Sequence, residues 1–148
     1  MPIRPENRDR YPRDWPAISA GIRERAGHRC EACGIPDRVL IRRGRSACGV
    51  PVWRLASDSA YCDGRSAIDG VPVSDTGEDT VAWSAPVLSV LTVAHLDHRP
   101  ENCDPANLRA WCQRCHNAYD APARRAGIRA RAFAARAAAD LFREGDHG

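Results

Sequence analysis

The pattern of hydrophobic and polar positions predicts a helix at each end of the chain. Between Pro16, a favourable first-turn residue, and Gly27, a favourable stop, apolar side chains recur at helical spacing. Residues 122–144 are rich in alanine and arginine, so their helix propensity is high. The proline- and arginine-rich residues 1–15 predict an extended basic arm, which its aromatic side chains should anchor to the body of the protein.

Between these helices, the strongest strand signal lies at residues 87–95, which are rich in β-branched side chains. A second short strand is predicted at residues 107–111, and it leads into a helical segment that carries His116. Residues 36–86 show only brief apolar alternations, followed by a stretch rich in aspartate, glycine and serine. We therefore expect residues 36–86 to be a variable insertion, partly ordered at best.

The composition favours one small domain that is stabilised by a metal. A chain of 148 residues can bury a single core, but bulky side chains are scarce, with two Phe and one Met. A structural metal would supply the stability that such a core lacks. Seven cysteines, an odd number, and the lack of an apolar leader or membrane span predict an intracellular, cytoplasmic protein with reduced thiols.

The charge distribution is compatible with a nucleic-acid partner without requiring one. The formal net charge is +3, and every basic residue is an arginine. Both ends of the chain are basic, whereas the middle is acidic. Such an arrangement would suit a phosphate backbone, because arginine makes bidentate contacts to phosphate. A solvated surface of mixed charge would explain the same distribution.

Two cysteine pairs predict a structural zinc site. Cys30 and Cys33 form one pair with two intervening residues, and Cys112 and Cys115 form another. Each pair can hold the metal from one tight turn, and four thiolates leave no open position for water on Zn²⁺. The remaining thiols have no metal-binding spacing, and we expect them to be ordinary buried or surface cysteines: Cys48, Cys62 and Cys103.

An isolated polar stretch, Ala94-His95-Leu96-Asp97-His98, lies between the cysteine pairs and indicates a hydrolytic site on this scaffold. The sequence of residues 91–119 is LTVAHLDHRPENCDPANLRAWCQRCHNAY, and it resembles the HNH nucleases of the ββα-metal type. The cysteine pair Cys30-Glu31-Ala32-Cys33 is also similar to zinc-containing members of that family, and the arm around Tyr11 to those of phages and their hosts.

The resemblance implies an α+β fold and a metal-dependent DNA endonuclease. A ββα-metal core within residues 16–121 would be stapled by zinc and flanked by the N- and C-terminal helices. The family places a general-base histidine at the end of the first strand, which would be His95. Asn107 would hold the loop, and His116 would bind a catalytic divalent metal such as Mg²⁺. A neutral imidazole suits proton abstraction from water near neutral pH.

The position of the base depends on the alignment. His95 leaves a loop of acceptable length before Asn107, whereas His98 shortens that loop, so we prefer His95. In the family, the residue before the base is commonly a metal ligand, but here it is Ala94. Asp97 or His98 would then supply the missing ligand, and a catalytically inactive zinc module that binds nucleic acid is the alternative function.

The DNA contacts expected from the resemblance involve arginines near the motif and on the last helix. Each of these side chains could instead face solvent: Arg99, Arg109, Arg114, Arg124, Arg125 and Arg129. We expect no membrane association. A homodimer or a partner protein from a phage or its host is possible, because a single HNH motif often needs a second site to cut both strands.

Overall fold

The computed structural model describes residues 5–58, 64–73 and 81–143. Its helices are α1 (Trp15–Arg25) and α2 (Gln113–Arg143). The strands are β1 (Leu40–Arg45), β2 (Pro51–Leu55), β3 (Gly64–Ser66), β4 (Pro72–Val73), β5 (Val87–Leu88), β6 (Leu91–His95) and β7 (Leu108–Cys112). Both sheets are antiparallel, so the predicted α+β class is confirmed.

The chain divides into two units, Met1–His116 and Asn117–Gly148. The first unit contains both sheets and all the strands described above. The two helical segments that the sequence predicts after the second cysteine pair are a single helix, α2, with Pro122 inside it. Among the described residues, no helix is long and apolar enough to cross a membrane.

Strands β6 and β7 form a two-stranded hairpin that leads directly into α2. Their register runs from Leu91 opposite Cys112 to His95 opposite Leu108. The sequence predicts one strand at residues 87–95, but the structure has two, β5 and β6, in different sheets. The break occurs at Ser89, which is buried and whose backbone exchanges hydrogen bonds with residues 38 and 39. Ser89 thus fixes the point at which the chain passes from one sheet to the other.

The insertion contributes four of the five strands of one sheet, β1 to β4. The five strands β1 to β5 lie in the order β4-β3-β2-β1-β5, so the described part of residues 36–86 is more regular than its weak periodicity predicts. Short strands with little alternation are difficult to recognise because each has few positions in which a pattern can show.

One hydrophobic core joins α1, the first cysteine pair and both sheets. Trp53 of β2 and Ala67, which follows β3, pack in the same cluster as Leu91 and Leu108 of the hairpin. The buried members of this cluster are Ile22, Cys30, Cys33, Ile35, Ile41, Trp53, Ala67, Leu91, Leu108, Ala110 and Cys112. Three of these residues are cysteines, namely Cys30, Cys33 and Cys112. The insertion also contributes to this core, through Ile41, Trp53 and Ala67.

The N-terminal arm is not wholly extended, since Pro5–Arg10 is a 3-10 helix. Arg10 makes a paired hydrogen bond and ion pair with Glu101, with 2.6 Å between Nε and Oε1. This contact joins the arm to the loop between β6 and β7. Helix α1 then begins at Trp15, and the chain leaves it through Gly27, whose φ of 59° is in the left-handed region that favours glycine.

Candidate functional site

The four paired cysteines come together in one cluster, as the sequence predicts. The sulfur atoms of Cys30, Cys33, Cys112 and Cys115 all lie within 4.8 Å of one another, and three of the four residues are buried. The Sγ atoms of Cys33 and Cys112 are 3.8 Å apart. Four thiols at these separations can hold a metal such as zinc, because they converge on a single point from two tight turns.

Interactions among the thiols favour ionisation of part of the cluster. Hydrogen bonds from neighbouring thiols, with that of Cys115 the strongest, lower the pKa of Cys112 below its ordinary value. For Cys30, the interaction with Cys112 raises the pKa, but hydrogen bonds from Cys115 and Cys33 reverse this and lower the pKa to about 6. Thiolates are the form of cysteine that binds metal, so the cluster is chemically suited to ligation.

The first cysteine pair is attached to the hairpin by Glu31, a residue that the sequence analysis did not single out. The Glu31 N–H donates to the carbonyl of Ala110 at 2.9 Å, and its carboxylate accepts from the Ala110 N–H at 2.5 Å. Arg25 also donates to this carboxylate, at 3.1 Å. No spacing rule identifies this role, because the carboxylate binds a backbone amide from a distant strand.

The insertion contacts the cysteine cluster as well. The indole N–H of Trp53 donates to the carbonyl of Cys33 at 3.1 Å. Gly70 lies so close to the same carbonyl that a Cβ added there would be 2.9 Å from the Cys33 oxygen. The insertion therefore supports the backbone that presents Cys33.

His95 lies at the end of β6 beneath two aromatic side chains. Its ring is stacked on that of Trp15, with centroids 5.0 Å apart and planes 22° apart. Tyr11 approaches edge-on at 5.8 Å, and the Cys103 Sγ is 4.0 Å from Nε2. Only 9% of His95 is exposed. Burial lowers the pKa of His95, although Asp97 and Glu101 oppose the shift, so burial favours the neutral imidazole.

Asn107 bridges the loop that follows His95. Its Oδ1 accepts from the Asp97 N–H at 3.1 Å. Its Nδ2 donates to Asp97 Oδ1 and to the Asn102 carbonyl, each at 2.9 Å. The Asn107 side chain thus bridges residues 97 and 102 of the loop. It closes the loop immediately beyond the last paired residue of β6.

Asp97 is engaged in organising this loop. Its carboxylate accepts from the Arg99 N–H at 2.9 Å and from Asn102 Nδ2 at 2.7 Å, in addition to Asn107. These hydrogen bonds, with that from the Arg99 backbone the strongest, lower the pKa of Asp97 to about 2. Three donors stabilise the carboxylate, so it is ionised at any pH near neutrality.

His98 lies past the end of the strand. It is exposed, its φ of 58° is left-handed, and its N–H donates to the His95 carbonyl at 3.2 Å. His95, by contrast, is the last residue of β6 and pairs with Leu108, next to Asn107. The geometry of the hairpin thus favours His95 over His98 as the histidine at the strand end.

His116 faces β6 from the start of α2. Its Nδ1 is 2.9 Å from the hydroxyl of Thr92, three residues before His95 on the same strand. The two imidazoles are close enough for His116 to lower the pKa of His95 electrostatically. Among the described residues, the four cysteines are the single group of three or more metal-binding side chains within 4.8 Å. Asp97, His98 and His116 are therefore not gathered into a preformed cage.

The candidate DNA-binding arginines have different surroundings. Arg109 donates to two backbone carbonyls near its own strand, at 2.8 and 3.1 Å. Arg114 is half-buried, whereas Arg99 is exposed beside the loop. On α2, Arg124 donates to the Asn117 carbonyl at 3.0 Å, and all three candidates there are exposed: Arg124, Arg125 and Arg129.

The remaining described cysteines do not belong to the four-cysteine cluster. Cys48 is exposed, as expected for a surface thiol. Cys103 is half-buried beside His95, and burial raises the pKa of its thiol. Cys62 lies outside the described residues.

The chain was compared with models of known protein families, with curated proteins and with solved structures, and none of them matches. A function can therefore be inferred only from this chain's own geometry. The features that bear on function are the four-cysteine cluster, the β6–β7 hairpin with His95 and Asn107, and His116 at the start of α2.

Proposed function

We propose that this protein is a metal-dependent DNA endonuclease of the HNH type, with His95 as general base. The observation that carries the proposal is the Asn107 bridge, which holds the loop directly after His95. A histidine ends β6, an asparagine comes immediately before β7 and a histidine lies on the following helix, and this order is similar to that of the HNH motif.

In the proposed reaction, a ring nitrogen of His95 takes a proton from the attacking water. Burial of the ring favours the neutral imidazole, and a neutral imidazole can accept that proton. Trp15 fixes the plane of the ring by stacking on it. Asn107 and Asp97 fix the backbone beyond it, so the base is positioned before substrate arrives.

His116 is the residue best placed to hold a catalytic divalent ion together with phosphate oxygens of the substrate. The Thr92 hydroxyl, 2.9 Å from Nδ1, orients the His116 ring. Such an ion would neutralise the charge that develops on the phosphate and on the leaving 3′ oxygen. Mg²⁺ commonly binds few protein ligands and retains substrate or water oxygens, so a full protein cage is not required.

Zinc at the four cysteines would have a structural role. It would join the turn of Cys30 and Cys33 to the end of β7 and the start of α2, where His116 lies. The exposed arginines on α2 would bind the DNA backbone without reading its sequence, so we expect the affinity for DNA to fall with salt.

A non-catalytic zinc module that binds nucleic acid is the second candidate. Two observations favour it. Ala94 occupies the position of a usual metal ligand and is 1% exposed, and the His95 ring is covered by Tyr11 and Trp15. In this alternative, the β6–β7 hairpin would bind nucleic acid but would not cleave it.

The deciding experiment is a plasmid-nicking assay of the zinc-loaded protein with Mg²⁺, Mn²⁺ or Ni²⁺. The His95→Ala variant should lose activity by about a hundredfold or more, because a general base contributes at least that much. His116→Ala should lose activity and require higher metal concentrations. His98→Ala tests the alternative alignment, and it should cut normally if His98 is neither the base nor a metal ligand.

Zinc content and circular dichroism should be unchanged in the three variants, which separates catalysis from folding. Loss of cutting in His98→Ala alone would move the base to His98. If the unsubstituted protein binds DNA but cuts with none of these metals, the endonuclease proposal fails and the binding module is favoured.

A further inference from the structure

A cavity of about 520 Å³ lies between the first cysteine pair and the β2–β3 part of the insertion sheet. Its volume is within the range of small-molecule sites in proteins. Its walls come from three segments: the turn around Gly34, strand β2 and the β3–β4 turn. The lining residues are Arg29, Gly34, Pro36, Trp53, Arg54, Leu55, Asp58, Arg65 and Gly70.

The described residues that line this cavity carry more positive than negative charge. Among the described lining residues, three are arginines and one is an aspartate, Asp58. The Asp58 carboxylate accepts a hydrogen bond from the Leu55 N–H at 3.0 Å. Arg54 is only 5% exposed, and its guanidinium is 4.5 Å from the centroid of the Trp83 ring. Positive groups that line a concave space focus their field into it and attract anions.

Two of the arginines are held in place at the rim. Arg29 donates through Nη1 to the Gly34 carbonyl at 3.3 Å, and Arg65 donates through Nη1 to the Gly70 carbonyl at 3.2 Å. A guanidinium has five N–H donors, so one backbone hydrogen bond orients the group while others can still bind a ligand. Gly34 and Gly70 both have left-handed φ values, 70° and 76°, which form the turns that accept these bonds.

We propose that this cavity binds a phosphate group, supplied either by a free nucleotide or by a nucleic-acid backbone. The paired N–H donors of arginine match phosphate oxygens in geometry as well as in charge. Pro36, Trp53 and Leu55 form an apolar part of the wall, against which a sugar or a base would pack. This site is separate from the His95 hairpin loop and does not depend on the endonuclease proposal.

The test is a binding titration of the full, zinc-loaded chain with three probes: inorganic phosphate, a 5′-deoxymononucleotide and a short DNA duplex. Arg29→Gln and Arg65→Gln should each weaken binding of the phosphate probe by about tenfold, because each removes charged hydrogen bonds to it. For duplex DNA, each substitution should reduce the slope of log affinity against log salt by about 1.

Arg45→Gln is the matched control. Arg45 lies on β1 of the same sheet and donates through Nη1 to a glycine carbonyl, that of Gly49, at 3.0 Å, but it does not line the cavity. It should leave binding unchanged. Zinc content should also be unchanged in all variants, which shows that the neighbouring Cys30 turn is intact.

Each outcome decides the proposal. Mononucleotide binding that is lost in the Arg29 and Arg65 variants, but kept in Arg45→Gln, supports a nucleotide site. Loss confined to duplex DNA supports a backbone-phosphate site. If no probe binds, or if Arg45→Gln weakens binding as much as the others do, the cavity is not a phosphate site. None of these measurements involves cutting, so they are independent of endonuclease activity.

Discussion

At the scale of single residues, Asp97 and Asn107 stabilise each other across the loop after β6. The amide of Asn107 bonds both the backbone and the carboxylate of Asp97, and Asn102 adds a further bond to that carboxylate. All of these partners are polar and near the surface, so each bond contributes modestly. Together they restrict the loop, which positions the end of the strand that carries His95.

The lowered pKa of Asp97, about 2, leads to a prediction about pH. The folded value lies below that of an unfolded aspartate, about 3.9, so folding favours the ionised form. The resulting stability is present above about pH 4 and is lost as the pH falls toward about 2. By NMR, the Asp97 carboxyl signal of the zinc-loaded protein should remain that of a carboxylate down to pH 4.

Asn107→Ala serves as the comparison, because it removes one donor to the carboxylate and the acceptor for the Asp97 N–H. In this variant the midpoint of the Asp97 titration should move upward, toward pH 4. A midpoint already near 4 in the unsubstituted protein would show that, in solution, the loop hydrogen bonds do not stabilise the ionised form of Asp97.

At the scale of elements, the insertion sheet is part of the support for the cysteine cluster. Strand β2 places Trp53 so that its indole N–H bonds the Cys33 carbonyl, and Ala67 after β3 joins the same core. The sheet is therefore joined to the metal-binding turn through both a hydrogen bond and apolar packing. A segment with weak sequence periodicity thus helps to determine the position of a metal ligand.

Trp53→Phe should destabilise the protein by about 1–2 kcal/mol, because it keeps an aromatic ring but leaves the buried Cys33 carbonyl without this donor. Urea unfolding of the zinc-loaded protein measures the change, and competition with a chelator should show faster zinc loss. Trp83→Phe is the control, since no described residue accepts a hydrogen bond from its indole N–H. Equal effects of the two substitutions would remove any special role for the Trp53 hydrogen bond.

At the scale of the whole molecule, the first unit has few bulky side chains and a core that contains Cys30, Cys33 and Cys112. Without a metal, four sulfur atoms would be crowded into a largely buried space with no cation to balance the thiolates. The free energy of zinc binding would add to the stability of the fold, because the site forms only when distant segments of the chain meet.

Removal of zinc should therefore unfold the first unit. We expect one zinc per chain, lost together with cooperative unfolding when Cys112→Ser is introduced or a strong chelator is added. Metal analysis and thermal unfolding measure the two effects. Cys48→Ser, which replaces an exposed thiol, should retain zinc and thermal stability. An unchanged melting temperature after complete removal of the metal would contradict a structural role.

The sequence by itself determined the features that depend on local spacing. Two residues between paired cysteines indicate a metal-binding turn, and the prediction that the four cysteines come together is confirmed. The β-branched run before His95 indicates a strand, and the alanine-rich end indicates a helix. The functional roles of His95, Asn107 and His116 remain predictions from a resemblance, now with a geometry that suits them.

Only the tertiary structure decided the relations between distant segments. The passage of residues 87–95 from one sheet to the other depends on the bonds of Ser89 to residues 38 and 39. The cover of Tyr11 and Trp15 over His95, and the bond from Glu31 to Ala110, join residues that are far apart in sequence. Periodicity and spacing report on neighbours along the chain, whereas these contacts form between groups that folding alone brings together.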